Sequence, residues 1–205
     1  MGPRAVLESQ DGFLQVFGGG RARSPLAVAG CLASAVSGAS FRMVGPIYGQ
    51  EVGLAADQIG LFLAAYVAGG AVAQYPVGWL ADRYDRRRVL IWLSVASVGS
   101  CGLTVALAGT GTLGVMGAAI LFGVTTVPIY SVSAAHAHDF ASSEERVELS
   151  AALMFWYAMG AIAAPWTTSA LIAAYGPTAL FAVISAAHLG LVGFGLWRMR
   201  RRPAA

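Results

Sequence analysis

Charge is what this chain has least of. Only 11 % of its 205 residues are Asp, Glu, Lys or Arg, where an ordinary water-soluble domain carries about 25 %. With 57 % hydrophobic residues and a mean hydropathy of +0.67, the chain must leave apolar surface facing something other than water. Lysine is absent altogether, and all thirteen basic residues are arginine. Cysteine is scarce: Cys31 and Cys101 lie within apolar runs without metal-ligand spacing, and they read as buried small hydrophobes rather than a disulfide or metal site. No G-x4-G-K-[ST] loop occurs, which excludes ATP-driven work by this chain. There is no H-E-x-x-H, no G-x-S-x-G and no paired carboxylate within an apolar run. The constellations of an enzyme are therefore missing, and neither catalysis, a cofactor nor a metal is expected.

What is present is apolar length. Six runs can be read at 25–48, 57–80, 88–108, 112–135, 149–174 and 178–197, each near the ~20 residues that a membrane-spanning helix needs. The runs are apolar nearly all round, so length and flanking residues define them better than amphipathic period. Polar or glycine-bearing turns separate them: Glu51 to Asp57, Gly109-Thr110-Gly111 and Gly176-Pro177. Ser142 and Glu145 have the spacing of a capping box before the fifth run. The 26 glycines and many alanines suit helices that approach closely in lipid. Residues 1–23 hold Glu8, Asp11 and Gly18 to Gly20 and lack the apolar core of a signal peptide. They are expected to form a flexible cytosolic lead, followed by a six-helix bundle over 24–197 and a basic tail over 198–205.

The arginines give this bundle a direction. Arg4, Arg21 and Arg23 precede the first run; Arg83, Arg86, Arg87 and Arg88 fall between the second and third; Arg146 precedes the fifth; Arg198, Arg200, Arg201 and Arg202 follow the sixth. Twelve of the thirteen arginines thus share one side, and the three opposite connections have none. The positive-inside rule makes that side, and both termini, cytoplasmic. A net charge of +3 distributed in this way marks a membrane face and implies no nucleic acid.

Between the second and third runs, Gly78-x3-Asp82-Arg83-x-Asp85-Arg86-Arg87 resembles the cytoplasmic signature loop of the major facilitator superfamily, written G-x3-D-R/K-x-G-R-R/K. Asp85 stands where that family prefers glycine, which bears on the tight turn expected there. Residues 24–90 and 128–182 look like the C-terminal half of a bacterial, YcaD-type branch. The likeness rests on Gly45-Pro46-Ile47-Tyr48, Gln74-Tyr75-Pro76-Val77-Gly78, Ala135-His136-Ala137-His138-Asp139 and Tyr157-Ala158-Met159-Gly160. Residues 1–23 are similar to the tail of the central loop joining the family's two halves, and Gly160-x3-Ala164-Pro165 resembles its G-x3-G-P bend. The resemblance implies an all-α polytopic fold with six transmembrane helices, one half of a twelve-helix carrier whose substrate lies between the halves. It also implies a latch role for Gly78, Asp82, Arg83, Arg86 and Arg87. Asp82 would accept hydrogen bonds from a helix start, and the arginines would bind helix-terminal carbonyls, carboxylates or lipid phosphates.

Few polar groups lie inside the runs. No acid lies in the interior of any run, and Arg42 is the one strongly basic group there, some two-thirds along the first run. Two readings of Arg42 stand: it faces a cavity for an anion or a carboxylate of another half, or it snorkels outward to Glu51 or Asp57. Gln74, Tyr75, Tyr130, Ser131, Tyr157 and Trp166 are cavity candidates that could equally serve as interhelical bonds or an aromatic belt. Pro76, Pro128 and Pro165 are expected to bend their helices. His136 and His138, two apart, point to opposite sides of a helix and are poorly placed to share a metal. His188 is the single candidate for proton coupling, with a packed core histidine as the alternative.

The function implied is transport of a small solute by alternating access, in a bacterial inner membrane, by a half-size, split or truncated carrier. Its partners would be membrane lipid, the solute, and a second six-helix half or a second copy of the chain. The alternative is a non-transporting membrane subunit or an inert fragment.

Overall fold

The computed structural model describes residues 24–201. The expected lead over 1–23, with Arg4, Arg21 and Arg23, lies outside the described residues, as does Arg202 in the tail. Among the described residues there are seven helices: α1 (Pro25–Glu51), α2 (Ala56–Arg83), α3 (Arg86–Ala106), α4 (Thr112–Thr126), α5 (Pro128–His138), α6 (Arg146–Tyr175) and α7 (Ala179–Arg201). No strand occurs among the described residues. In hydrocarbon every backbone N–H and C=O must be satisfied within its own segment, so uninterrupted apolar runs fold as helices.

Six helical stretches are long and apolar enough to cross a bilayer, with α4 and α5 together forming the fourth, Thr112–His138. All six expected runs are there, most of them longer at the basic end. α2 continues to Arg83, and α7 continues to Arg201, so Arg198, Arg200 and Arg201 extend a helix rather than opening a tail. Pro128 divides the fourth run, because it has no N–H to offer the Val124 carbonyl and occupies the first position of α5. α2 and α6 carry Pro76 and Pro165 within continuous helix. The expected cap at Ser142 forms only in part. Ser142 N donates to Glu145 Oε2 at 3.1 Å, but that stretch is a turn, and α6 begins at Arg146.

α1 is the central post. It packs against α2, α5, α6 and α7, while α2 pairs with α4 and α3 with α7. Nearly three-quarters of α1's apolar window is buried (72 %), against 28 % for α2 and α6. α2 and α6 are thus the most exposed of the six spans. The α2–α4 pair touches backbone to backbone: a Cβ on Gly69 would collide with the Ile120 carbonyl, and one on Gly123 with the Tyr66 carbonyl. That is the close approach small residues permit in lipid.

Away from the basic end, aromatic rings fill the core. Phe41 centres on a group with Tyr66 (4.5 Å between centroids), Phe122 (4.9 Å) and Phe62 (5.0 Å), while Tyr48 meets Phe181 edge-on at 4.8 Å. Buried hydroxyls bond back to carbonyls one turn earlier, as Ser37 does to Ala33 and Thr104 to Ser100, both at 2.8 Å. Others cross between helices: Ser40 to Thr168 (3.0 Å), Ser100 to Thr125 (3.0 Å) and Tyr48 to the Thr104 carbonyl (3.0 Å). Each such bond contributes about 0.6 kcal/mol on average in membrane bundles.

Candidate functional site

Helix geometry decides where Arg42 goes. Side chains on an α-helix lean toward its N-terminus and lie over the preceding turn. Arg42 follows this rule, and its guanidinium lies above Gly38: a Cβ there would sit 3.3 Å from Nη1 and 3.4 Å from Nη2. Gly38 is the fourteenth residue of the 27-residue α1, which places the charge at the middle of the span. The outward route to Glu51 or Asp57 is not taken. Arg42 Nη2 instead donates to the Tyr157 hydroxyl at 3.2 Å, across to α6. A charge at that depth costs about 2.5–3.5 kcal/mol on insertion scales, and such residues mark cavities and pathways.

Around the guanidinium is a cavity of about 320 Å³, lined by Ser34, Gly38, Arg42, Tyr66, Gln74, Val127, Tyr130, Ser131, Met154 and Tyr157. It is of the size and mixed polarity that suit a small solute. The Tyr130 and Tyr157 rings meet edge-on at 5.2 Å and form one wall. Gln74 and Ser131 also line a second groove, of about 190 Å³, that runs between α2 and α5 to Asp82 at the basic end. Five residues singled out in the sequence therefore converge here: Arg42, Gln74, Tyr130, Ser131 and Tyr157. Tyr75 and Trp166 do not. They are 84 % and 81 % exposed on α2 and α6 and line neither space. Tyr75 is one residue, about 100° of helix rotation, beyond Gln74. Ser34, Gly38, Tyr66, Val127 and Met154 complete the lining without having been singled out. A glycine one turn before a midspan arginine was the available signal.

His188 is elsewhere. It is fully buried on α7, and its Nε2 lies 2.7 Å from Ser37 Oγ. Ser37 Oγ also lies 2.8 Å from the Ala33 carbonyl, so its single hydroxyl hydrogen serves one of the two contacts and the His188 tautomer sets which. Its Nδ1 has no hydrogen-bond partner. The ring does not line the cavity.

At the basic end the signature loop builds a compact ion-pair cluster. Arg86 Nη1 reaches Asp139 Oδ1 (2.6 Å) and the Ala135 carbonyl (2.8 Å) at the end of α5, and its Nη2 reaches Asp82 Oδ1 (3.0 Å). Asp82 thus receives an arginine within the chain, not the backbone N–H groups of a helix start, and its side chain stays 74 % exposed. Asp85 occupies the glycine position of the family pattern at φ −54°, where no left-handed backbone is required. It caps α3 by accepting from Arg87 N at 2.9 Å and binds the Arg87 side chain at 2.8–3.1 Å. Those bonds from Arg87 hold the Asp85 carboxyl below the ordinary carboxylate range, against the opposing effect of burial. Arg83 stacks on Trp79, 4.9 Å from the ring centroid, and Gly78 has open space where a Cβ would be. His136 is buried edge-on against Phe140, and His138 Nε2 lies 3.2 Å from Ser150 Oγ. The two histidines thus make separate contacts.

Comparison with known proteins accounts for this architecture. The family described as the Major Facilitator Superfamily (MFS) matches residues 26–205. A protein of Yersinia pestis (strain Pestoides F) named an uncharacterized MFS-type transporter is 30 % identical over 184 residues, covering 89 % of this chain and 46 % of that protein. The uncharacterized MFS-type transporter YcaD of Escherichia fergusonii is 31 % identical over 161 residues, covering 78 % of this chain and 41 % of its own length. The chain spans about half the length of the curated relatives it matches. With six apolar spans and a family match over nearly its whole length, this multi-pass membrane protein belongs to the Major Facilitator Superfamily.

Proposed function

We propose that this chain is one half of a secondary transporter that carries a small solute across the membrane by alternating access. One observation carries the reading: a solute-sized cavity of mixed polarity, centred on Arg42, lies at midspan between α1, α2, α5 and α6 of a six-helix half. A second half closing over the cavity would enclose it between two bundles, where carriers of this architecture bind substrate. That half is either a separate six-helix bundle or a second copy of this chain. The chain acts as a carrier and not as an enzyme. Its cavity residues offer hydrogen bonds and one charge without a nucleophile–base pair.

The clustered arginines favour a basic end in the cytoplasm of a bacterial inner membrane, with both termini on that side. Gly78, Asp82, Arg83, Arg86 and Arg87 then form a conformational latch. The exposed Asp82 carboxylate is free to accept from a helix start of the partner half or, in a homodimer, from the region of Ser142 to Glu148 of the second copy.

Native mass measurement and proteoliposome uptake test this reading together. An assembly of two halves that accumulates or exchanges a solute supports it. A strict monomer inert toward every solute in a broad panel removes it and leaves a non-transporting subunit. Orientation is read separately by labelling single cysteines at 53 and 144 with an impermeant maleimide. Labelling from outside at 53 and from inside at 144 is expected.

A further inference from the structure

Arg42 has no acid beside it. Tyr157 takes one of its five N–H donors, and no other acceptor among the described residues completes the fork. The ion pairs among the described residues join Arg86 and Arg87 to Asp82, Asp139 and Asp85, all at the basic end. The residues lining the cavity supply one positive charge and no carboxylate. Around that charge the walls are aromatic and apolar: Tyr66, Tyr130, Tyr157, Met154 and Val127. Gln74 and Ser131 give a neutral polar end where the cavity meets the groove toward Asp82.

We infer that the cavity binds a small organic monoanion, its planar oxyanion on the Arg42 fork and its flat or apolar body against the tyrosine walls. This rests on the carrier reading above and names the solute class. A planar guanidinium matches a carboxylate through two parallel N–H···O bonds, which an ammonium or amide donor does not reproduce. The Tyr157 hydroxyl holds the guanidinium from one side, and the remaining N–H donors belong to a side chain that lines the cavity. Edge-on Tyr130 and Tyr157 present a ring face and a ring edge to a flat body. A zwitterion would bring an ammonium beside the Arg42 charge, into a space where this half's lining holds no acid. An inorganic oxyanion would leave the apolar walls unused. Gly38 serves the same end, since any side chain there would crowd the guanidinium from below.

Calorimetric titration of the purified full chain, in whatever assembly it forms, tests this with three probes: benzoate, its neutral isostere benzamide, and inorganic phosphate. Benzoate is expected to bind at least tenfold more tightly than either of the others. Arg42→Gln should remove that preference, and Arg42→Lys should restore only part of it. Tyr157→Phe, which keeps the ring and the wall, should weaken benzoate severalfold and guards against a misfolded Arg42 variant. Equal binding of benzamide, equal binding of phosphate, or benzoate binding undiminished in Arg42→Gln overturns the inference. So does an Arg42→Gln protein whose only defect is dissociation from its partner half, because the fork would then serve a partner carboxylate. The two readings fail separately. Benzoate binding without any transport leaves the anion site and removes the carrier, whereas transport of neutral solutes without benzoate binding does the reverse.

Discussion

Arg86 Nη1 lies 2.6 Å from Asp139 Oδ1, and the same nitrogen reaches the Ala135 carbonyl at 2.8 Å. One guanidinium thereby joins the start of α3 to the end of α5 and, through Asp82, to the end of α2. A helix C-terminus presents unsatisfied carbonyls and partial negative charge, which an arginine meets on both counts. Arg86→Ala removes all of these contacts and should cost about 1–2 kcal/mol. Asp139→Asn, at a half-exposed carboxylate, should cost no more than about 1 kcal/mol. Thermal midpoints in one detergent check the order. Arg86→Lys should resemble the alanine variant more than the parent, because a point charge cannot span three acceptors.

Asp85 gives the cluster a pH dependence whose sign is fixed. Its carboxyl is held below the ordinary value of 3.8, first by the hydrogen bonds from the Arg87 side chain. A depressed carboxyl contributes stability that is fully present above its unfolded value and lost as pH falls through the folded one. The parent should therefore exceed Asp85→Asn in thermal midpoint at neutral pH. The gap should hold down to about pH 5 and then close as pH drops below ~4. A gap that widens on acidification would contradict the assignment.

The α2–α4 contact predicts opposite outcomes for two glycines on one helix. At Gly123 a Cβ would run into the Tyr66 carbonyl, whereas at Gly117 nothing lies within 4 Å. Backbone cannot rotate aside as a side chain can, so Gly123→Ala must push the helices apart, at a cost of about 1–3 kcal/mol. Gly117→Ala should be neutral or stabilising by up to about 1 kcal/mol, since alanine is the better helix former. Comparing the thermal midpoints of the two variants with that of the parent decides it.

Much of this architecture could be read from the residues, and the parts that could not share one cause. Six spans, their ends and the basic side follow from apolar length and arginine placement. What faces what does not. In lipid the outer and inner surfaces of a helix are both apolar, so period carries no signal for which surface turns inward. Gln74 and Tyr75 are equal candidates in the sequence, and only packing brings one to the cavity and leaves the other exposed away from it. Arg42 was ambiguous for another reason. Its distance along the span suggested the outer surface, while the backward lean of helical side chains brings its charge to midspan. Asp85 in the glycine position raised a question of turn geometry that disappears once the residue is seen as a helix cap. Tyr66, Met154 and Val127 lie in the cavity with no polar mark in the sequence to set them apart from the core.

His188 carries the last prediction, because two roles for it differ in what they would change. A coupling histidine must exchange its proton with the solute path, lose and regain it during the cycle, and have water or a carboxylate within reach. This ring is fully buried between α7 and α1, hydrogen-bonds through Nε2 to Ser37, and lines neither the central cavity nor the groove toward Asp82. Its place is that of a bond between helices. His188→Gln should therefore lower the thermal midpoint and leave any dependence of uptake on the proton gradient as it is in the parent. Ser37→Ala should lower the midpoint in the same way, and the double variant should cost less than the sum of the two, since one bond is lost in all three. Gradient dependence abolished in His188→Gln, with downhill exchange retained, would make the histidine the coupling group. Such a result would require the α1–α7 contact to open during each cycle.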